Sequence, residues 1–181
     1  MRYAHDMSKA RILHEGRFIN LVERDGWEYA SRTGRHDVAV IVAQTPTGDL
    51  ILTEQYRIPV GAPCIELPAG LVGDLPGFED EPLLEGANRE LEEETGYRAY
   101  DLELLCGGPV SAGMTSETVH FVWAGGVTRV GPGGGDESEN ITVHEVSPDQ
   151  VEDWLKARET EGMSVDPKVF VGLYFVNQRK A

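Results

Sequence analysis

Arg89-Glu90-Leu91-Glu92-Glu93-Glu94-Thr95-Gly96-Tyr97 is the stretch on which the fold reading turns. Residues 82–95 have helical composition, with Pro82 suited to the first helical position and Gly96 to the stop. Leu84, Ala87 and Leu91 fall at i, i+3 and i+7, so one helical face is apolar. Glu90 and Glu94 are four apart and share the edge beside that face. Like charges so placed weaken a helix unless a cation lies between them. A hard divalent ion with oxygen ligands answers that need, whereas a plain Glu run is most often a solvated surface. Arg89 precedes Glu93 by four, which allows a supporting salt bridge.

Working toward the N-terminus, residues 61–81 are rich in glycine and proline and read as a long loop. Residues 50–56 and the apolar run 38–43 read as strands, separated by the Thr47-Gly48-Asp49 turn. Residues 11–21 and 27–31 alternate roughly as strands, with Asp25-Gly26 as a hairpin turn. Toward the C-terminus, 102–106, 118–124 and 141–146 read as strands. Ser147-Pro148-Asp149-Gln150 reads as a capping box opening a helix, and Asp166-Pro167 as the start of a last one. Strands and helices mix without regular β-α-β alternation. The expected architecture is α/β: an α/β/α sandwich around a mixed sheet (36–181), preceded by a small N-terminal antiparallel β subdomain (1–35). A lone hairpin is marginal, so residues 1–35 are expected to contact a second copy in a homodimer.

The chain has 181 residues, 40% hydrophobic and 26% charged, which suits one globular domain with a real core. Its net charge of −15 argues against nucleic-acid or anionic-membrane partners, but not against a small phosphorylated substrate held through metal. The longest apolar run is far too short to span a bilayer. Residues 1–10 lack a secretory pattern, and Cys64 and Cys106 are the only cysteines; a reducing cytoplasm is the expected compartment.

The spacing Glu81-x7-Arg89-Glu90-Leu91-x-Glu93-Glu94-x-Gly96-Tyr97 resembles the Nudix box, G-x5-E-x7-R-E-U-x-E-E-x-G-U with U apolar. The opening departs from it. Leu75 stands where the glycine belongs, and Gly70 takes that role with ten residues before Glu81. Glu54-Gln55-Tyr56-Arg57, Glu66-Leu67-Pro68-Ala69-Gly70, the segment 111–117 and the acidic stretch 136–144 resemble the ADP-ribose and nucleoside-diphosphate-sugar pyrophosphatase branch. Ala112 departs from the proline that many ADP-ribose enzymes carry there.

The resemblance implies Mg²⁺-dependent hydrolysis of the diphosphate of ADP-ribose or a related nucleotide sugar, with Mn²⁺ as the alternative ion. It implies metal binding by the Ala69 carbonyl, Glu90 and Glu94, with Glu93 assisting or holding a second ion. Glu137 is implied as general base, joined in the catalytic group by Glu93 and Arg89. Arg57 and Glu66 are implied substrate contacts, and Glu139 either contacts substrate or rivals Glu137. The alternatives are hydrolysis of another nucleotide (NADH, a dinucleoside polyphosphate, a triphosphate or capped RNA) and a Nudix-fold regulator that binds without cutting. Gly133-Gly134-Gly135 lacks the G-K-[ST] of a Walker loop and reads as a hinge for the acidic stretch.

Overall fold

The computed structural model describes residues 10–34, 37–74, 77–135 and 140–180. Three strands, β1 (Arg11–Glu15), β2 (Ile19–Arg24) and β3 (Trp27–Arg32), form an antiparallel N-terminal sheet. Asp25 and Gly26 both take positive φ (53° and 82°), as a two-residue hairpin turn requires. The expected single strand over 11–21 is broken by a turn at 16–18. A Cβ on Gly16 would lie 2.3 Å from the Ile19 carbonyl oxygen, so the chain doubles back only at a glycine.

Two four-stranded mixed sheets follow. The first has the order β7 (Ala69–Val72), β4 (Asp37–Ala43), β10 (Thr118–Gly125), β9 (Asp101–Pro109). Only β4 and β10 run parallel within it. The second has the order β12 (Thr142–Val146), β5 (Leu50–Arg57), β6 (Ala62–Glu66), β13 (Ser164–Val165), with β6 and β13 parallel. A short pair, β8 (Tyr97–Arg98) and β11 (Thr128–Arg129), lies beside them. The expected long loop over 61–81 therefore holds two strands, β6 and β7. Pro63 lies within β6, opposite Tyr56, whereas Pro68 falls between the strands and its carbonyl accepts the Ile41 N–H at 2.7 Å.

Strand β4 shows how the period of two builds the sandwich. Val40 and Val42 point into a core shared with Leu155 of α2 (Val151–Thr160) and with Val169, Leu173 and Val176 of α3 (Lys168–Lys180). Ala39, Ile41 and Ala43 point into a second core with Ala87 and Leu91 of α1 (Leu83–Thr95). Helices thus cover both faces, which is the expected α/β/α class. The capping box at 147–150 does not form: the N-cap of α2 is Gln150, without a side-chain cap bond. Ser147 instead makes a local turn, its carbonyl accepting the Gln150 N–H at 2.9 Å. No helix among the described residues is long and apolar enough to cross a membrane.

Helix α1 begins at N-cap Pro82 and ends at Gly96, whose φ of 75° is left-handed. Its last turn holds no basic residue, and its final carbonyls need donors. The glycine-rich segment supplies them. Gly134 N–H donates to Glu94 O at 2.8 Å and Gly135 N–H to Glu93 O at 3.0 Å. Val130 and Gly131 N–H both donate to Gly96 O, at 2.8 and 3.1 Å. The segment read as a hinge is a backbone clamp on the helix end. Gly133 has φ +70°, and a Cβ there would lie 2.4 Å from the Thr95 carbonyl carbon. Gly133→Ala is therefore expected to cost about 2 kcal/mol or more of stability. Chemical denaturation checks this, and an unchanged midpoint would show that the clamp contributes nothing.

Candidate active site

Three elements meet at a cleft of about 560 Å³: the Arg57 end of β5, the β6–β7 corner and helix α1. Its lining includes Arg57, Glu66, Ala69, Gly70, Arg89, Glu90 and Glu93, all singled out in the sequence. The helix reaches the sheet closely because Gly86 faces Val72; a Cβ there would lie 2.8 Å from Val72 Cγ1. Asn88 pins the same helix sideways, accepting the Ala99 N–H at 2.8 Å and donating to the Ala99 carbonyl at 3.0 Å.

Arg89 organises the carboxylates. Its Nε and Nη2 donate to Glu81 at 3.1 Å each, and Nη2 also donates to the Leu71 carbonyl at 3.0 Å. Nη1 donates to Glu90 at 2.8 Å and to Glu93 at 3.0 Å, so the predicted Arg89–Glu93 bridge forms. The hydrogen bond from Arg89 holds Glu81 below the ordinary carboxylate range. The same bond raises Arg89, against the opposing effect of burial.

Glu90 is different. Burial pushes its carboxyl up to about 7, although Arg89 acts in the opposite direction. The carboxyl occupies the space over Gly70, where a Cβ would lie 2.0 Å from Glu90 Cδ. Glu94 is 3% exposed, and its Oε2 accepts the Ala69 N–H at 3.0 Å. Glu90 and Glu94 thus both meet β7, at adjacent residues. Among the described residues, no three His, Cys, Asp or Glu side chains converge as a ready metal cage. The donors nonetheless suit a hard divalent cation. They are carboxylate oxygens brought to one glycine-lined corner, and Arg89, shared with Glu81 and Glu93, does not offset the desolvation of the half-buried Glu90.

On the facing sheet, Arg57 and Glu66 form a forked pair. Nε donates to both carboxylate oxygens at 3.0 Å and Nη2 to Oε2 at 2.6 Å. Gln55 adds a donor to Glu66 at 3.2 Å. Burial acts to lower Arg57, but the hydrogen bond and charge of Glu66 outweigh it and leave Arg57 raised. Glu137 and Glu139 lie outside the described residues, as does Leu75 at the irregular opening of the helix motif. The flanking Gly135 is tied to Glu93 by the clamp bond already described.

Four charged lining residues were given no site role from the sequence: Arg32, Asp74, Lys168 and, although it closes the family-like segment 111–117, Glu117. Arg32 Nε donates to Glu117 at 2.5 Å across 85 residues of chain. The docking behind this pair is backbone pairing of Ala30 with Met114 and Ser116 (Ala30 N–H to Met114 O 2.9 Å, Ser116 N–H to Ala30 O 3.1 Å). Asp74 lies 3.6 Å from Arg89 Nη2. Local spacing brings none of the four to the cleft, because each reaches it through contacts far away in the chain.

The class this fold and helix define is a Nudix hydrolase: the NUDIX domain model matches residues 34–164, and the chain belongs to that family. Divalent-metal use is general in the family. An ADP-ribose pyrophosphatase of Bacillus subtilis is 32% identical over 151 residues, covering 81% of this chain and 76% of its own. A methanol dehydrogenase activator of Bacillus methanolicus is 32% identical over 149 residues, with the same two coverages. In fold, the chain is similar to the crystal structure of an ADP compounds hydrolase, with TM-score 0.70 and 22% identity, covering 94% of this chain and 90% of that one.

An acid whose folded pKa exceeds its unfolded value keeps its proton longer in the folded state. For Glu90 that interval runs from 4.5 to about 7. In metal-free protein its contribution to stability is full below the unfolded value and is lost as pH rises through the folded one. The stability of the parent relative to Glu90→Gln should therefore fall across that interval. A difference that stays flat with pH in denaturant titrations would refute the burial argument.

Proposed function

We propose that the protein hydrolyses the diphosphate bond of ADP-ribose or a related nucleoside-diphosphate sugar, releasing a nucleoside monophosphate and a sugar phosphate. The observation that carries this reading is the corner where Glu90 and Glu94 meet Gly70 and Ala69, opposite the Arg57–Glu66 pair in one cleft. Carboxylates on one wall and a guanidinium on the other suit a substrate with a diphosphate at its centre. The name of the Bacillus subtilis relative supports ADP-ribose as the first substrate to try.

In this reading Glu90, Glu94 and the Ala69 carbonyl hold Mg²⁺, with Mn²⁺ as substitute, and Glu93 assists or helps hold a second ion. A bound divalent cation would supply neutralisation of the diphosphate and a more acidic water. Arg89 keeps Glu90 and Glu93 in place. Arg57 and Glu66 orient the substrate, with Glu139 as a further contact. Glu137 takes the proton from water as its oxygen attacks phosphorus, and the P–O bond to the departing phosphate breaks. Support for a base in that segment is the tether of Gly135 to Glu93.

Residues 1–35 form the proposed N-terminal subdomain and 36–181 the hydrolase domain, in a cytoplasmic homodimer. Support for the dimer comes from apolar side chains left exposed on or beside the N-terminal sheet, among them Ile12, Phe18, Ile19 and Trp27. Sedimentation velocity should return twice the chain mass of 19.9 kDa; a single-chain mass at micromolar concentration would remove the dimer.

A panel of ADP-ribose, nucleotide sugars, NADH, dinucleoside polyphosphates and triphosphates, each with and without Mg²⁺, tests the activity. Metal-dependent cleavage should be greatest for ADP-ribose or a nucleotide sugar. Binding without cleavage would favour a regulator. Glu94→Gln should lower turnover by roughly several hundred-fold, and Glu137→Gln should lower turnover with less effect on binding. Parent-like turnover in Glu94→Gln would overturn the metal assignment. A larger loss in Glu139→Gln than in Glu137→Gln would move the base by two residues.

A further inference from the structure

The cleft has two chemically different margins. One is apolar: Leu71, Val38 and Val119 stand side by side across β7, β4 and β10, and Val110 lies beside them in the lining. That row suits the flat face of a nucleobase. The other margin belongs to the second sheet and carries Arg57, Glu66 and Lys168 among the apolar Pro59, Val60 and Leu67, while the Arg32–Glu117 pair lines the cleft next to the start of β10. The corner bearing Glu90 and Glu94 lies where the chain passes from β6 to β7, at the junction of the two.

Lys168 reaches this margin by a specific route. Strand β13 pairs with β6, Ser164 opposite Cys64 and Val165 opposite Ile65. Asp166 extends the pairing by donating its N–H to the Ile65 carbonyl at 2.9 Å, one residue before Glu66. The chain then turns into α3. Asp166 Oδ1 accepts the Lys168 N–H at 2.8 Å, and Asp166 Oδ2 pairs with Lys168 Nζ. Asp166 therefore fixes both the backbone and the head of Lys168. The Lys168 side chain is 28% exposed, so it is supported yet open to the cleft. The other cations of the lining are also paired: Arg89 to Glu81, Glu90 and Glu93, Arg57 in a fork with Glu66, and Arg32 to Glu117. An ammonium has three donors, and the pair with Asp166 engages one.

We propose that Lys168, oriented by Asp166, is a specificity-determining residue that binds the phosphate or hydroxyl oxygens of the sugar-phosphate half of the substrate. This rests on the nucleoside-diphosphate-sugar reading above. It divides the substrate between the margins: base on the apolar row, sugar phosphate against Lys168.

The two products separate the halves. With Mg²⁺ present, AMP and ribose 5-phosphate are each titrated into the parent, Lys168→Ala and Lys168→Arg by calorimetry, and KM for ADP-ribose is measured alongside. Lys168→Ala should weaken ribose 5-phosphate by about ten-fold or more, as expected for one lost charge-assisted hydrogen bond. AMP should bind as in the parent, and Lys168→Arg should retain most of the ribose 5-phosphate affinity. The loss should fall on KM more than on kcat. Should the alanine variant unfold, Lys168→Met keeps the packed stem and carries the same measurement. Equal weakening of both products, or of neither, overturns the assignment. A parent that cleaves ADP-ribose while Lys168→Ala behaves identically defeats Lys168 alone; a parent that does not cleave ADP-ribose defeats the substrate reading and this inference together.

Discussion

The structure depends on holding a helix rich in glutamate against a sheet whose backbone meets its carboxylates. Arg89 makes this tolerable. One guanidinium donates to Glu81, Glu90, Glu93 and the Leu71 carbonyl, so its single positive charge is shared among three carboxylates while it bonds the helix to β7. Its planar fork can serve several acceptors in fixed directions, which a lysine could not do. Glu94, deeper still, is met by the Ala69 N–H. Remove those donors and the helix would present uncompensated charge to a buried corner, a cost several times that of an exposed pair.

Close approach is the second condition, and glycine supplies it at separate places. Gly86 lets the helix lie on Val72, and Gly70 leaves room for the Glu90 carboxyl. At the far end, the segment through Gly133, Gly134 and Gly135 bonds the helix's last carbonyls by backbone alone. A helix that ends in Glu93 and Glu94 has no cationic side chain in its last turn to serve those carbonyls, so amides from elsewhere in the chain do so. The same device that stabilises the helix end ties Gly135, which flanks the acidic stretch, to the carboxylate helix.

The two sheets contribute unequal surfaces to the cleft. The β7-β4-β10 sheet brings valine and leucine, with the Arg32–Glu117 pair at its edge, and the β5-β6-β13 sheet brings Arg57, Glu66 and the approach of Lys168 beside Pro59, Val60 and Leu67. Apolar and charged groups thus alternate around the cleft, with carboxylates at the seam. The Nudix helix accounts for the seam alone, and the proposed role of Lys168 lies in a margin.

Much of this was legible in the chain itself. The helix over 82–95, its stop at Gly96, the apolar strand 38–43 and the Arg89–Glu93 contact follow from short-range periodicity and spacing, which act within a few residues. The strands inside 61–81 were not legible, because isolated Gly and Pro there punctuate a ladder whose partners lie elsewhere in the chain. The capping box failed because Ser147 found a nearer turn to make. Arg32, Glu117 and Lys168 carry no local signature; a β3 contact with the 111–117 segment and the β6–β13 register bring them to the cleft. Sequence by itself determined the carboxylate helix and the family it belongs to, since a metal motif is a matter of spacing along one helix. Tertiary structure alone decided which charges face those carboxylates, since that depends on sheet pairing between residues far apart in the chain.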